Sequence, residues 1–159
     1  RIEAEIDFSN KTIGRQTYAL DIGPAAFRRE IAKARTFGVM RDVAKLWSAG
    51  YALGASFENT VVVTDDGVLN PAGLRYPDEF VRHKMLDALG DLALAGAPLL
   101  AAYRSYRGGH RLNYAVLSAL MADPTAWRLV DAQTAMPRSR GHAEPAGGLV
   151  APAYGPEVS

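Results

Sequence analysis

Two short segments carry residues whose types and spacing suit metal-assisted hydrolysis. In FVRHKMLDALGD, His83 is followed by Asp87 and then by Asp91, at steps of four residues. On a helix with His83 at zero, Asp87 falls about 40° and Asp91 about 80° around the axis. An imidazole and a carboxylate at this spacing have the reach to bind one metal ion from adjacent turns. The segment therefore predicts a polar helical stripe with metal-ligating groups.

The same stripe is also compatible with an ordinary surface helix, because a polar face opposite an apolar face is typical of one. Two features favour a functional stripe. Asp is a poor residue inside a helix and occurs twice here. Gly90 costs about 1 kcal/mol relative to Ala at an interior position, which indicates that another group approaches closely there.

The second segment, RGGHRLN, places His110 at the expected start of a helix behind Gly108 and Gly109. A helix N-terminus disfavours an imidazolium ion. A nearby carboxylate would therefore be needed to keep His110 protonated as an acid, and Asp91 is the candidate. The alternative is a glycine loop followed by an ordinary residue at a helix start.

Composition restricts the chemistry further. The chain has 159 residues, enough for one domain with a hydrophobic core, and a net charge of +1, which indicates no phosphate-backbone partner. It has no cysteine, so any metal ion must bind to His, Asp or Glu. No apolar run approaches the roughly 20 residues of a membrane span. The start at Arg1 rather than Met suggests a piece of a longer protein.

The residue pattern predicts an α+β fold with an antiparallel or mixed sheet and helices packed on one face. The expected elements are strands at 2–7 and 17–22, a helix from Pro24 to about Lys33, a short strand or link at ARTFG, a helix at 40–49 stopped by Gly50, a hairpin from 59–64 through Asp66-Gly67 to VLN, a helix from Asp78 as N-cap to about Ala95, a strand at 98–106 and a helix from His110 to about Ala122. We expect the Pro/Gly-rich residues 132–159, including His142, to be disordered.

Five segments together resemble a known family. FVRHKMLDALGD, RGGHRLN, ARTFGVMRD, GASFENTVVV and VLNPAGLRYPDEF are similar, in order and spacing, to the C-terminal domain of the zinc-dependent UDP-3-O-acyl-N-acetylglucosamine deacetylases of lipid A biosynthesis. The resemblance extends from about Ile6 to about Trp127. The combination of HKxLDxxGD with a downstream GHxLN is specific to this family.

The resemblance implies a zinc-dependent hydrolysis that removes an N-acetyl group as acetate. His83 and Asp87 would be two of the three protein ligands of a catalytic Zn2+. His110 would stabilise the oxyanion of the tetrahedral intermediate and protonate the leaving amine, and Asp91 would accept a hydrogen bond from His110.

The resemblance also implies substrate contacts. Lys84 would contact the UDP-sugar portion, and Thr36 and Phe37 would lie against the sugar and the entrance for the acyl chain. A β-α-β insert at about 36–63 would form an apolar passage for that chain. The residues expected along this passage are Phe37, Met40, Val43, Ser56, Phe57 and Val61.

In the family, the third zinc ligand and the general-base glutamate belong to an N-terminal domain, which these residues do not contain. The resemblance thus implies that residues 1–131 are the second domain of a cytoplasmic enzyme. It also implies that this chain alone binds zinc weakly and turns over no substrate. Apolar helix surface should be exposed around Met85, Leu89 and 110–122. Two alternatives stay open: a non-catalytic acyl or nucleotide-sugar binding module, and another metal-dependent hydrolase with His83, Asp87 and His110 as ligands.

Overall fold

A computed structural model describes residues 1–131, apart from the side chain of Ala44, and contains two small sheets with one long helix between them. The elements in chain order are β1 (Ile2–Asp7), β2 (Arg15–Leu20), α1 (Pro24–Glu30), β3 (Thr36–Val39), α2 (Met40–Ser48), β4 (Thr60–Val63), α3 (Glu79–Leu92), a 3-10 turn (Ala93–Ala95), β5 (Tyr103–Tyr106) and α4 (His110–Ala122). Within these residues, every helix is too short or too polar to cross a bilayer.

The first sheet has β1 at its centre. β2 pairs with β1 in antiparallel register, with Asp7 opposite Arg15, and β5 pairs with β1 in parallel register, with Ile2 opposite Tyr103. Burial alternates along β1, as expected for a strand with one face on the core. Its buried side chains are Ile2, Ala4 and Ile6.

Helix α3 covers this sheet and supplies most of the remaining core. Phe80, Val81, Met85 and Ala88 recur at helical spacing and are buried against β1 and β2. Met85 has no exposed surface, so the expectation that it lies on an open helix face is wrong. The opposite edge of α3 carries the polar stripe and also contacts α4.

The second sheet is the predicted β-α-β insert. β3 and β4 pair in parallel, with Thr36 opposite Thr60, and α2 connects them. The expected hairpin at Asp66-Gly67 is reduced to a single antiparallel bridge between Val63 and Val68. All four side chains of β4 are buried. Burial on both faces is typical of a strand in parallel pairing, whereas an arm of a surface hairpin would alternate buried and exposed side chains.

Several boundaries differ from the expectation. α1 ends at Glu30 rather than Lys33 because the N–H groups of Ile31 and Ala32 both donate to the Phe27 carbonyl, which breaks the helical hydrogen-bond series. β5 begins at Tyr103 rather than at residue 98 because its pairing partner β1 begins at Ile2.

Two expectations about α3 are revised by the structure. Asp78 is the N-cap residue of α3, as expected, but its carboxylate makes no capping hydrogen bond. It accepts a hydrogen bond from Arg82 Nε at 2.6 Å instead. Gly90 does not accommodate a close contact, since a Cβ added there would meet no other atom of residues 1–131 within 4 Å.

The α+β class, with a mixed sheet and a β-α-β insert, is confirmed. Residues 1–127 form one compact unit. The domain boundary at residue 131 stays a prediction, and the expected disorder of 132–159, with His142, falls outside the described residues.

Candidate active site

Helix α3 holds His83 and Asp87 in contact one turn apart. The Nε2 atom of His83 lies 3.1 Å from Oδ1 of Asp87, and both side chains are mostly buried, with 15% and 13% of their surface exposed. The other ring nitrogen, Nδ1, lies 3.1 Å from the carbonyl oxygen of Ala34. A carbonyl oxygen only accepts hydrogen bonds, so Nδ1 carries a proton and Nε2 faces the carboxylate.

Asp87 is held in its ionised form. Burial raises the pKa of Asp87, but the hydrogen bonds from His83 and Lys84 and the charges of both groups outweigh burial and lower the pKa to about 2. The Lys84 ammonium lies 2.7 Å from Oδ2. The two carboxylate oxygens therefore point to different partners, one to an imidazole and one to an ammonium.

The Ala34 carbonyl is fixed by a buried ion pair that the sequence did not reveal. Arg35 and Glu79 have 5% and 0% of their side-chain surface exposed. Oε1 of Glu79 accepts hydrogen bonds from the Arg35 backbone N–H at 2.9 Å and from Arg35 Nε at 2.8 Å. Oε2 accepts hydrogen bonds from Arg35 Nη2 at 3.0 Å and from the Arg75 backbone N–H at 2.6 Å. This network joins the entry to β3 with the first turn of α3.

Burial alone would raise the pKa of Glu79, but its hydrogen bonds from Arg35 and Arg75 hold that pKa below the ordinary value. A possible signal in the sequence was the position of Glu79, four residues before His83 and directly before the buried Phe80-Val81 pair.

Further along α3, Asp91 contacts His110 as predicted. Nδ1 of His110 lies 2.8 Å from Oδ2 of Asp91 and 3.0 Å from Oδ1. The His110 side chain is 71% exposed, whereas Asp91 is 20% exposed. Because Nδ1 faces the carboxylate, the second ring nitrogen, Nε2, points away from α3.

The loop before His110 brings β5 and α4 close together. A Cβ at Gly108 would overlap the Ser105 hydroxyl, so any other residue at this position would displace the Ser105 side chain. The loop and the first turn of α4 line an open pocket of about 260 Å³. Besides His110 and the two glycines, its lining includes Arg107 and Arg111, which bring positive charge to the pocket.

Phe37 lies beside the His83 ring. Its own ring is edge-on to Phe80 at 5.0 Å and to Phe8 at 5.6 Å, and its centroid is 6.4 Å from that of His83. Thr36, one residue earlier, is exposed at the start of β3. Both residues thus belong to the strand that follows the Ala34 carbonyl.

The expected lining of the apolar passage is wrong at two positions. Val61 is fully buried and Val43 is 6% exposed, so both side chains pack inside the chain. Phe57 remains, with 45% of its surface exposed. The insert carries other exposed apolar side chains instead: Leu46, Trp47, Tyr51 and Leu53.

The three-ligand alternative with His83, Asp87 and His110 is also wrong. Among residues 1–131, no three side chains of His, Cys, Asp or Glu are grouped so that they could hold one metal ion. His110 is directed to Asp91, and His83 is directed to Asp87. The stripe therefore contains two separate pairs.

A comparison of the sequence with known families assigns the chain to a class of deacetylases. Residues 1–122 match the family model described as LpxC, UDP-3-O-acyl N-acetylglycosamine deacetylase. Because this match covers most of the chain, the protein belongs to that family, which confirms the resemblance.

Among the similar proteins are the UDP-3-O-acyl-N-acetylglucosamine deacetylases of Brucella ovis, Brucella suis and Brucella melitensis. Each is 55% identical to this chain over 133 residues, which are 83% of this chain and 46% of the relative. The chain therefore spans about half the length of the curated relatives it matches.

Proposed function

We propose that this chain supplies one half of a zinc-dependent deacetylase that removes the N-acetyl group from UDP-3-O-(3-hydroxyacyl)-N-acetylglucosamine and releases acetate in lipid A biosynthesis. The observation that carries the proposal is the pairing along α3. His83 contacts Asp87, and one turn later Asp91 contacts His110. One pair has the composition of a metal site, and the other has the composition of an oriented proton donor.

The first pair fits zinc. Imidazole nitrogen and carboxylate oxygen are common zinc ligands. The Nδ1 proton of His83 goes to the Ala34 carbonyl, which is the outer hydrogen bond that orients a ligating histidine. Nε2 faces an ionised carboxylate, so a positive centre between the two is favourable. When bound, zinc supplies a Lewis acid that polarises the amide carbonyl and makes water acidic enough to attack at neutral pH.

The second pair provides the acid. Protonated His110 keeps Nδ1–H on Asp91 and presents Nε2–H to the substrate. That proton stabilises the negative oxygen that develops from the amide carbonyl, and it is then transferred to the leaving nitrogen. Asp91 orients the ring and stabilises its positive charge, which offsets the unfavourable start of α4.

The remaining assignments concern the substrate. Arg107 and Arg111 bring positive charge beside His110, which suits the diphosphate of a UDP-sugar. Lys84 is assigned to the same portion of the substrate. Since its ammonium already contacts Asp87, a substrate group would share Lys84 with that carboxylate.

Phe37 and Thr36 are assigned to the sugar and to the start of the acyl chain. The exposed apolar side chains of the insert, from Leu46 to Phe57, are assigned to the acyl chain itself. They replace Val43 and Val61 as the candidate surface.

The third zinc ligand and the general base are assigned to the half of the relatives that this chain does not span. The same half would cover α4, which exposes Leu112, Tyr114, Val116 and Met121 by 42–65%. At helical spacing, Leu112 and Val116 lie on one side of α4, and Tyr114 and Met121 lie on the opposite side. Exposed apolar side chains on both sides suit a helix that a permanent partner covers. Association of the isolated chain in solution is the expected consequence.

Zinc binding by the 159-residue chain tests the first half of the proposal. We expect weak binding by competition against a chelating dye, with loss in Asp87→Ala and His83→Ala and retention in His110→Ala. Zinc loss in His110→Ala would identify His110 as a ligand and contradict its role as an acid.

Acetate release from the substrate by the isolated chain with zinc tests the second half. We expect none, because the base and one ligand are missing. Robust turnover would contradict the assignment of those groups to another segment.

A further inference from the structure

The described residues contain one buried polar side chain beside the candidate acid that has no role in the chemistry above. Asn113 lies on α4, one turn after His110, and only 2% of its surface is exposed. Its Nδ2 atom lies 2.8 Å from Oδ2 of Asp91. Its Oδ1 atom lies 2.7 Å from the hydroxyl of Tyr103 on β5. Both polar ends of the amide are therefore occupied.

The chemistry of the partners sets the direction of this chain of hydrogen bonds. An ionised carboxylate only accepts, so the amide NH2 must face Asp91 and the amide oxygen must face Tyr103. The Tyr103 hydroxyl then donates to that oxygen. Tyr103 thus donates a hydrogen bond to Asn113, and both Asn113 and His110 donate hydrogen bonds to Asp91.

This order constrains the Asp91 carboxylate. Oδ2 receives both the His110 ring and the Asn113 amide at 2.8 Å. Two donors on one oxygen fix the rotation of the carboxylate plane, whereas one exposed imidazole would leave it free to turn. Asp91 needs such a restraint because it follows the exposed Gly90 near the end of α3.

We propose that Asn113, oriented by the Tyr103 hydroxyl, is the positioning residue that holds the Asp91–His110 pair in its proton-donating arrangement. The role of the pair rests on the proposed function, but the positioning itself is a property of this chain. Asn113 and Tyr103 do not touch the substrate. They act through Asp91 on the orientation of His110 and the retention of its Nδ1 proton.

Nitrogen-15 NMR of the 159-residue chain tests the positioning without zinc or substrate. In the unmodified chain, we expect slow solvent exchange of the Asn113 side-chain NH2 and of the His110 Nδ1–H. In Tyr103→Phe, which removes only the hydroxyl, the Asn113 amide should exchange several-fold faster. In the double variant Tyr103→Phe/Asn113→Ala, which leaves no buried hydroxyl without a partner, the His110 Nδ1–H should exchange about tenfold faster or more, as for the loss of a hydrogen bond to a charged group.

Tyr114→Phe is the matched control, because it also removes one tyrosine hydroxyl. Tyr114 lies on α4, the helix that carries Asn113, and is 65% exposed. It should leave both exchange rates unchanged. If the double variant does not fold, the single Tyr103→Phe variant decides. Unchanged Asn113 and His110 exchange in folded Tyr103→Phe would overturn the proposal.

Activity provides an independent readout once the missing half is supplied. The double variant should lower kcat about tenfold with KM nearly unchanged, because the ground-state contacts to the substrate are intact. Unchanged kcat would overturn the catalytic meaning of the positioning. If exchange responds as expected but the complete enzyme releases no acetate, the proposed function fails and the positioning stands.

Discussion

The substitution Glu79→Gln should cause a large loss of stability, because Glu79 is the carboxylate of the buried ion pair. Its side chain has no exposed surface, and it accepts four hydrogen bonds from Arg35 and Arg75. In glutamine, one of these two oxygens becomes an NH2 group that faces donors. The Arg35 charge, with 5% of its side chain exposed, is left without a counter-ion.

The magnitude follows from that buried charge. Removal of one partner from a buried pair costs about 3–5 kcal/mol, a large share of the 5–15 kcal/mol that typically stabilises a domain. For a unit of this size, the melting temperature should fall by roughly 10–20 °C. Thermal unfolding of the chain at pH 7, monitored by circular dichroism, measures this fall in melting temperature.

Glu3→Gln is the matched control, since Glu3 pairs with Arg104 at 3.2 Å on the surface and 80% of the Arg104 side chain is exposed. It should cost less than about 1 kcal/mol. The double variant Arg35→Met/Glu79→Leu removes both charges and should lose less stability than Glu79→Gln. Equal melting shifts in Glu79→Gln and Glu3→Gln would refute the reasoning.

Three further predictions concern the stability of the same chain. Because the pKa of Glu79 is lower in the folded chain than in the unfolded chain, its ionised carboxylate stabilises the fold above the unfolded pKa, and this stabilisation is lost as pH falls. The melting temperature should therefore drop between pH 6 and pH 3. The drop should be smaller in Arg35→Met/Glu79→Leu, in which both charged residues are replaced by apolar ones. Gly108→Ala should destabilise by about 1 kcal/mol, because the added methyl displaces the Ser105 side chain, and Ser105→Ala should restore part of the loss in denaturant melts. Gly90→Ala should raise the free energy of unfolding by about 0.5–1 kcal/mol, because alanine restricts the unfolded chain and its methyl group would meet open space. A lower melting temperature in this variant would contradict the prediction.

The polar stripe could be predicted from the sequence because helical geometry is regular. Steps of four residues bring His83 to Asp87 whatever the surrounding fold, and the contact is present at 3.1 Å. The partnership of Asp91 with His110 needed only one more argument, the electrostatics of a helix N-terminus, and it is also present.

Features that depend on distant residues could not be predicted in this way. Glu79 and Arg35 are 44 positions apart, and no local pattern shows that they meet. The pairing of β4 with β3 rather than within a hairpin is also a long-range choice. Asp78 occupies the N-cap position, but its carboxylate accepts a hydrogen bond from Arg82 and none from the backbone N–H groups of α3. Gly90 is unfavourable inside a helix, and no side chain of residues 1–131 comes close enough to it to explain a glycine there.

The measurement that tests the central claim most directly is acetate release by a chimera. In it, this chain replaces the matching 133 residues of the Brucella ovis relative, whose other half is retained. We predict zinc-dependent release of acetate from UDP-3-O-acyl-N-acetylglucosamine, loss of zinc and activity in His83→Ala, and loss of activity with zinc retained in His110→Ala. A folded, zinc-loaded chimera that releases no acetate, or one whose activity survives His110→Ala, would contradict the account.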